Sequence, residues 1–281
     1  MILEVLISTI DEGIEHIPMM LLSPRDDVRY LISWQRSRTS STVQGVQVVQ
    51  EVQKIQKIQT GRQDVKVFMM DGKGLSRNRN NALLHATGDI LLLADDDCRY
   101  TDEYFDNILN TYAEHPEADI ILFKAKDFPK SYPAQVMPLK KAMHHRGYYP
   151  SSVEITLRDE RRKTKDERLK DERLKDERLK FNEHFGLGSD IYPCGEEDLF
   201  LCDAQKGGMN VLFVPKEIVE TPVCTTGSLF LLSPDVRRAK GAVFRYCYPR
   251  LEAEYRLVKE CLHHWIYNHM NPFKLYREMC L

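Results

Sequence analysis

The sequence predicts an α/β fold: a mostly parallel central sheet with helices on both faces, followed by a C-terminal helical tail. Three observations predict it. Short apolar runs of strand length recur at residues 2–8, 28–34, 65–69, 90–94 and 119–125. Segments long enough for helices separate most of them, and that alternation favours parallel strands with helical crossovers. From residue 251 onward, apolar side chains keep helical spacing at Leu251, Tyr255, Val258, Leu262, Trp265, Ile266 and Met270.

Each element has a local reason. Residues 2–8 form a short apolar run of the kind a buried strand shows, and so do residues 28–34 and 65–69. Gly74-Leu75-Ser76 precedes a helical stretch at 77–86, with Ser76 placed to act as its N-cap and Gly88 to end it. Residues 90–94 supply the fourth strand, and Asp95-Asp96-Asp97 follows it. A helix over 102–115 and a strand over 119–125 come next. A later strand over 211–214 ends in Pro215. Ligands of such sheets bind beyond the carboxyl ends of the strands, where the three aspartates fall.

Two repetitive stretches interrupt the pattern. Residues 43–59 place an apolar residue at about every third position, a period that matches neither a helix face nor a strand face. They read as a surface excursion, with a helix as the form it can take. Residues 165–179 repeat KDERL three times, and the leucines Leu169, Leu174 and Leu179 are five apart. Each step turns about 140° around a helix, so no continuous apolar face forms. Asp166 with Lys170, and Asp171 with Lys175, are favourable i,i+4 pairs, which suits a solvated helix. The domain reading is therefore a catalytic domain over 1–228, with 43–59 and 158–180 as surface insertions, and a helical extension over 229–281. The apolar stripe of that extension reads first as core packing and second as peripheral membrane contact, since Trp with flanking Lys and Arg suits an interface.

Composition narrows the class. The 281 residues are 42% hydrophobic and 29% charged, with a formal net charge of -2. No global basic field is present, which argues against nucleic acid as a partner. The seven cysteines are odd in number and none has C-x-x-C spacing, which argues against a disulfide framework and a structural zinc site. The first residues turn acidic after one short apolar run, unlike a secretory signal, and no stretch approaches a membrane span. A cytoplasmic location, at the inner face of the membrane if the tail makes contact, is the expectation.

Three motifs carry chemistry. Asp95, Asp96 and Asp97 leave a buried strand together, and their mutual repulsion is offset well by a hard divalent cation. Asp95 and Asp97 have the D-x-D spacing that turns alternate residues to one side, and Mg²⁺ or Mn²⁺ takes such carboxylates together with substrate phosphates. An Asp-rich cap is the plainer reading of the triplet alone. GKGLSRNRNNA, from Gly72 to Ala82, puts Gly74, Ser76, Arg77 and Arg79 at a helix start, where N–H groups and the dipole favour phosphate. In isolation an ordinary capped helix with surface arginines is the favoured reading. CGEEDLFLC opens a helix with Glu196, Glu197 and Asp198, acids that either complement the helix dipole or supply a general base.

The order of these motifs raises their meaning. STIDE near the first strand, then GLSRNRN, DDD, GEED and a strand ending in Pro215 together resemble a family 2 glycosyltransferase of the GT-A, Rossmann-like fold. The resemblance is nearest to bacterial members that build capsular or surface polysaccharide, and it covers about residues 1–228. It implies a metal-dependent, inverting enzyme that moves a sugar from a nucleotide-diphosphate sugar to a hydroxyl of a glycan or lipid-linked glycan, with Mn²⁺ or Mg²⁺ as cofactor. Thr9, Asp11 and Glu12 would line the nucleotide pocket, with Arg79 and Asn80 in the A-R-N slot. Asp95 would sit near ribose or metal beside Asp96, Asp97 would be the metal ligand, and Asp198 would be the base next to Glu197. The chain departs from the pattern at Ile10, which replaces the usual tyrosine. It departs again at Trp34-Gln35, where Gln35 is left to read the base, and over 220–224, where no histidine appears. Two alternatives remain: a nucleotidyltransferase, which the acidic Asp11-Glu12-Gly13 does not favour, and a non-enzymatic scaffold built on the repeats.

Overall fold

The computed structural model describes residues 1–37, 45–159, 179–222 and 226–281. The KDERL repeats up to residue 178 lie outside these. The elements run β1 (Leu3–Ile10), β2 (Val28–Arg36), α1 (Gly45–Gln59), β3 (Val65–Asp71), α2 (Leu75–His85), β4 (Ile90–Asp95), α3 (Asp102–Glu114) and β5 (Ile120–Ala125). They continue with β6 (Met137–Pro138), α4 (Leu139–Ala142), β7 (Ile155–Arg158), α5 (Glu196–Lys206), β8 (Val211–Val219), α6 (Pro234–Cys247), α7 (Arg250–Asn268) and α8 (Pro272–Cys280). The chain divides into two compact units. The first holds residues 1–73, 77–180 and 207–223, and the second holds 74–76, 181–206 and 224–281.

The first unit is built on one eight-stranded sheet of order β3-β2-β1-β4-β7-β5-β8-β6. β1 pairs in parallel with β2 and β4, β2 with β3, and β5 with β8, while β7 runs antiparallel between β4 and β5. Alternation divides the strands into two faces. Leu3, Val5 and Ile7, with Val28, Tyr30 and Ile32, enter one core with Phe105, Ile108 and Tyr112 of α3. The opposite face meets α2, where Asn81 Nδ2 donates to Ser33 Oγ at 2.8 Å and Phe68 stacks on His85 at 4.0 Å. Helices thus cover both faces, as the alternating pattern predicts.

Two expectations change here. Residues 45–59 form a helix, α1, and it serves as the crossover that a parallel β2–β3 pair requires. Ile58 is buried in the core, Ile55 packs against it, and Glu51 accepts from Arg36 at 2.8 Å. The last strand also continues through Pro215 to Val219. The β5–β8 register shifts between Leu122 and Lys124, and such an irregularity tolerates a residue without an N–H.

Beside the sheet, Lys130 and Glu154 form a fully buried ion pair at 2.6 Å. Glu154 also accepts from Tyr132 Oη and from the Ala125 amide, and the rings of Phe128, Tyr132, Tyr148 and Tyr149 surround the Lys130 ammonium. A charge pair out of water needs such a complete set of partners.

In the second unit, α6, α7 and α8 enclose a core of Phe230, Val236, Leu257, Cys261, Leu275 and Met279. Gly241 is required there, because a Cβ would stand 1.8 Å from the Met279 carbonyl oxygen. The stripe on α7 does not enter this core. Ala253, Leu257 and Cys261 are the buried line, whereas Leu251, Tyr255, Val258, Leu262, Trp265 and Ile266 are exposed. Residues at steps of four share one side of the helix, so burying this line turns the other apolar residues outward.

Candidate active site

In the first unit the site grows from the carboxyl ends of β1 and β4. Register pairs Ser8 with Asp95, so Thr9 and the aspartates emerge side by side. Thr9 is buried, and its Oγ1 donates to Asp96 Oδ2 at 2.6 Å. Its carbonyl accepts from Asn78 Nδ2 at 2.9 Å, which ties the end of β1 to α2. Arg79, also buried, donates from Nη2 to Asp95 Oδ1 at 2.9 Å and to Ser152 Oγ at 2.7 Å. Two of the three carboxylates are therefore held by buried donors.

Asp97 is the exposed member. Partial desolvation, followed by the charges of Asp95 and Asp96, holds its carboxyl above the ordinary aspartate range. Loss of like-charge repulsion on cation binding is the chemistry such a carboxyl favours. Among the described residues, no group of three or more His, Cys, Asp or Glu side chains is arranged to hold a metal. The donor set fits a cation that takes one or two carboxylates and completes its shell from phosphate and water, as Mg²⁺ and Mn²⁺ do.

Around this centre, Asp11 adopts a left-handed conformation with φ 46°, and its Oδ1 accepts from the Ser37 amide at 2.9 Å. Its carbonyl accepts from the Trp34 indole at 2.9 Å, while Glu12 is exposed. Gln35 is buried at the end of β2, and its Nε2 has no hydrogen-bond partner among the described residues. Asn80 is half-buried and Arg77 exposed. Gly13 is a member that composition alone does not mark: a Cβ there would stand 2.0 Å from Asp96 Oδ2 and 2.5 Å from Thr9 Oγ1. Ser152 is equally unmarked, since it lies far along the chain in a short 3₁₀ turn beside Glu154.

The second unit holds the other predicted residues. Ser76 is not the N-cap of α2, which already starts at Leu75; its Oγ donates instead to the Phe185 carbonyl at 2.5 Å. The Leu75 amide donates to the Leu187 carbonyl at 2.8 Å, and Gly74 backs onto Gly188. Gly186, with φ 110°, lies against Ser76 and Glu196, where a Cβ would meet Ser76 Oγ at 2.8 Å. Glu196, Glu197 and Asp198 open α5 as the sequence predicts. Leu199 and Phe200 are buried, and Phe181 stacks on Phe200 at 4.3 Å. Asp198 is half-buried, and burial pushes its carboxyl up to about 6, with Lys240 opposing and Glu196 adding to the rise. Lys240, on α6, is a neighbour that the sequence motif does not reveal.

Residues 40–176 match the family described as Glycosyl transferase family 2. No curated protein sequence matches the chain. Among solved structures, S. aureus TarS is similar at 20% identity with a TM-score of 0.57, covering 97% of this chain and 74% of that one. A TarS structure in complex with UDP-GlcNAc is similar at 18% identity and a TM-score of 0.57, covering 98% and 76%. The mannosyltransferase PcManGT from Pyrobaculum calidifontis, in complex with GDP-Man and Mn²⁺, is similar at 13% identity and a TM-score of 0.52, covering 99% and 72%. At these identities the likeness establishes the fold. The chain has the GT-A-like α/β architecture, with a C-terminal helical region. Within that fold, the aspartates stand at the carboxyl end of a central strand, the position that open α/β sheets use for ligands. No helix among the described residues is long and apolar enough to cross a membrane.

Proposed function

We propose that the chain is an inverting glycosyltransferase that uses a nucleotide-diphosphate sugar and serves surface or capsular polysaccharide synthesis. The observation that carries this reading is the aspartate triplet at the end of β4: Arg79 and Thr9 hold Asp95 and Asp96, and Asp97 stands exposed with a raised proton affinity. Asp97, with Asp95 beside it, would hold Mn²⁺ or Mg²⁺. When bound, that cation neutralises charge developing on the departing diphosphate.

The chain's own residues do the rest. Gln35 offers its unpartnered Nε2 to an acceptor on the nucleobase. Thr9, Asp11 and Glu12 line the nucleotide, with Asn80 beside them, and Arg77 adds a cation for the phosphates. In the second unit, Gly74 and Ser76 at the start of α2 favour the diphosphate, and Glu197 flanks the base Asp198. The Asp198 carboxylate takes the proton of the acceptor hydroxyl. The acceptor oxygen bonds to the anomeric carbon as the bond to phosphate breaks, and that electron pair leaves with the nucleoside diphosphate. Attack opposite the leaving group inverts the configuration. A carboxyl near 6 is largely ionised at neutral pH, yet is a stronger base than an ordinary aspartate.

The test is a thermal-shift series of nucleoside diphosphates with and without Mn²⁺, followed by turnover with the matching nucleotide sugar. Binding stabilises by mass action, so the preferred base is read directly. Asp97→Ala should lose the Mn²⁺-dependent shift. Equal shifts with and without Mn²⁺ in the unaltered protein would remove the metal from the proposal.

A further inference from the structure

We infer that the exposed face of α7 is a docking surface for an anionic phospholipid bilayer. This goes beyond the transferase reading and does not rest on it. Leu251, Tyr255, Val258, Leu262, Trp265 and Ile266 form one apolar stripe along a 19-residue helix. A helix of that length runs about 28 Å. Leu251 is 86% exposed and Trp265 is 53% exposed, so the stripe is presented rather than packed. Phe273 at the start of α8 is 85% exposed. Contiguous apolar surface of this kind marks an interaction site in a stable protein.

Charge selects the partner. Residues 234–281 hold nine Lys and Arg against five Asp and Glu, within a chain whose net charge is -2. The acids of α7 and α8 are already engaged. Glu252 pairs with Arg256, Glu254 accepts from Tyr276, Glu260 pairs with Lys240, and Glu278 pairs with Arg237. Arg250, Lys259 and Arg277 have no acid partner among the described residues. An apolar stripe with aromatic residues, on a helix that also carries the uncommitted Arg250 and Lys259, fits the headgroup region of an anionic leaflet. A second copy of the same face fits less well, because two-fold pairing about the middle of α7 would bring Lys259 near its own copy.

The chain itself carries the reporter. It has two tryptophans; Trp34 is 3% exposed and bonded within the first unit, so a change in emission on binding reports Trp265. The full chain is mixed with vesicles of pure phosphatidylcholine or of phosphatidylcholine with phosphatidylglycerol. Flotation and Trp emission are then read at low and high salt. Expected are co-flotation and a blue shift with the anionic vesicles only, both weakened by salt. Lys259→Gln should lower partitioning about five-fold, from roughly 1 kcal/mol per basic residue. Leu251→Glu with Leu262→Glu should abolish binding while leaving the far-ultraviolet circular dichroism and unfolding midpoint unchanged, since both side chains are exposed. Absence of flotation with either vesicle overturns the inference, as does equal flotation of the double variant. A dimer in light scattering that the double variant converts to monomer also overturns it, by showing that a second copy covers the face.

Discussion

Asp198→Asn should remove turnover and, at neutral or alkaline pH, make the protein more stable. Burial raises the Asp198 carboxyl from an ordinary 3.8 to about 6. The fold therefore pays to keep it ionised. Roughly two pH units correspond to about 3 kcal/mol at 1.36 kcal/mol per unit. The side chain keeps some contact with solvent, and screening there reduces this to about 1–2 kcal/mol. The sign follows from linkage. Below the unfolded value of 3.8 both states bind the proton and there is no penalty. Between 3.8 and about 6 only the folded state keeps it, and above 6 the penalty is complete. Asparagine has the same shape and no charge, so its gain should be absent near pH 3.5 and full at pH 8. For a chain of this size the gain is about 2–4 °C in Tm for each kcal/mol. The assay is denaturant or thermal unfolding of both proteins across pH, alongside turnover. A variant that is less stable than wild type at pH 8 would refute the reasoning, because the carboxylate would then be held by favourable contacts that outweigh its burial. In the wild type, kcat should fall as pH drops through about 6, since the base must be unprotonated.

Other expectations are equally direct. Gly13→Ala should weaken Mn²⁺-dependent nucleotide binding at least about ten-fold with the fold intact, measured by calorimetry, because its methyl group takes the position of the Asp96 carboxylate. Arg79→Met should destabilise by about 3–5 kcal/mol in denaturant unfolding, since it leaves Ser152 and a partly buried Asp95 without their shared donor. Lys130→Met alone should cost a similar amount, whereas Lys130→Met with Glu154→Gln should cost less than the sum of the single changes, a double-mutant cycle that reads the buried pair. Gly241→Ala should cost about 1–3 kcal/mol and raise hydrogen exchange in α8, because its Cβ would strike the Met279 carbonyl.

The strands of the first half were legible because each is a run of mostly apolar residues, buried on both faces in β1 and β4, and the turns between them carry Gly, Asp or Asn. The crossover α1 was not, although it is a helix of 15 residues. Its Val and Ile residues recur every third position, so the apolar line drifts around the helix. Among the side chains described, Ile58, with Ile55 beside it, reaches the core. Strand pairing decides that role, and pairing is absent from local periodicity. The opposite error occurred in α7. Its large apolar side chains keep helical spacing, but the packed line is Ala253, Leu257 and Cys261, and a stripe of large residues says nothing of which side faces a neighbour. At the site, the acids and glycines were visible as motifs. Ser152 and Lys240 were not, because each meets its partner across a long stretch of chain and has no companion motif of its own.

Asp97 and Asp198 show why acids of one type can be assigned different work. Desolvation raises both carboxyls, but their electrostatic neighbours differ. Asp97 adds the repulsion of Asp95 and Asp96, so it gains most from a nearby multivalent cation, which relieves three charges together and is compatible with staying ionised. Asp198 lies beside Lys240, whose charge limits the rise to about 6. It stays ionised at neutral pH and still gains from a single proton. A cation ligand must not be lost to protonation at working pH, whereas a general base must accept a proton there. Replacing Lys240 with Met removes the opposing charge. It should move the acid limb of the kcat profile to higher pH, without changing the Mn²⁺ dependence of nucleotide binding. A shift in metal dependence with no shift in that limb would show that Lys240 does not act through Asp198.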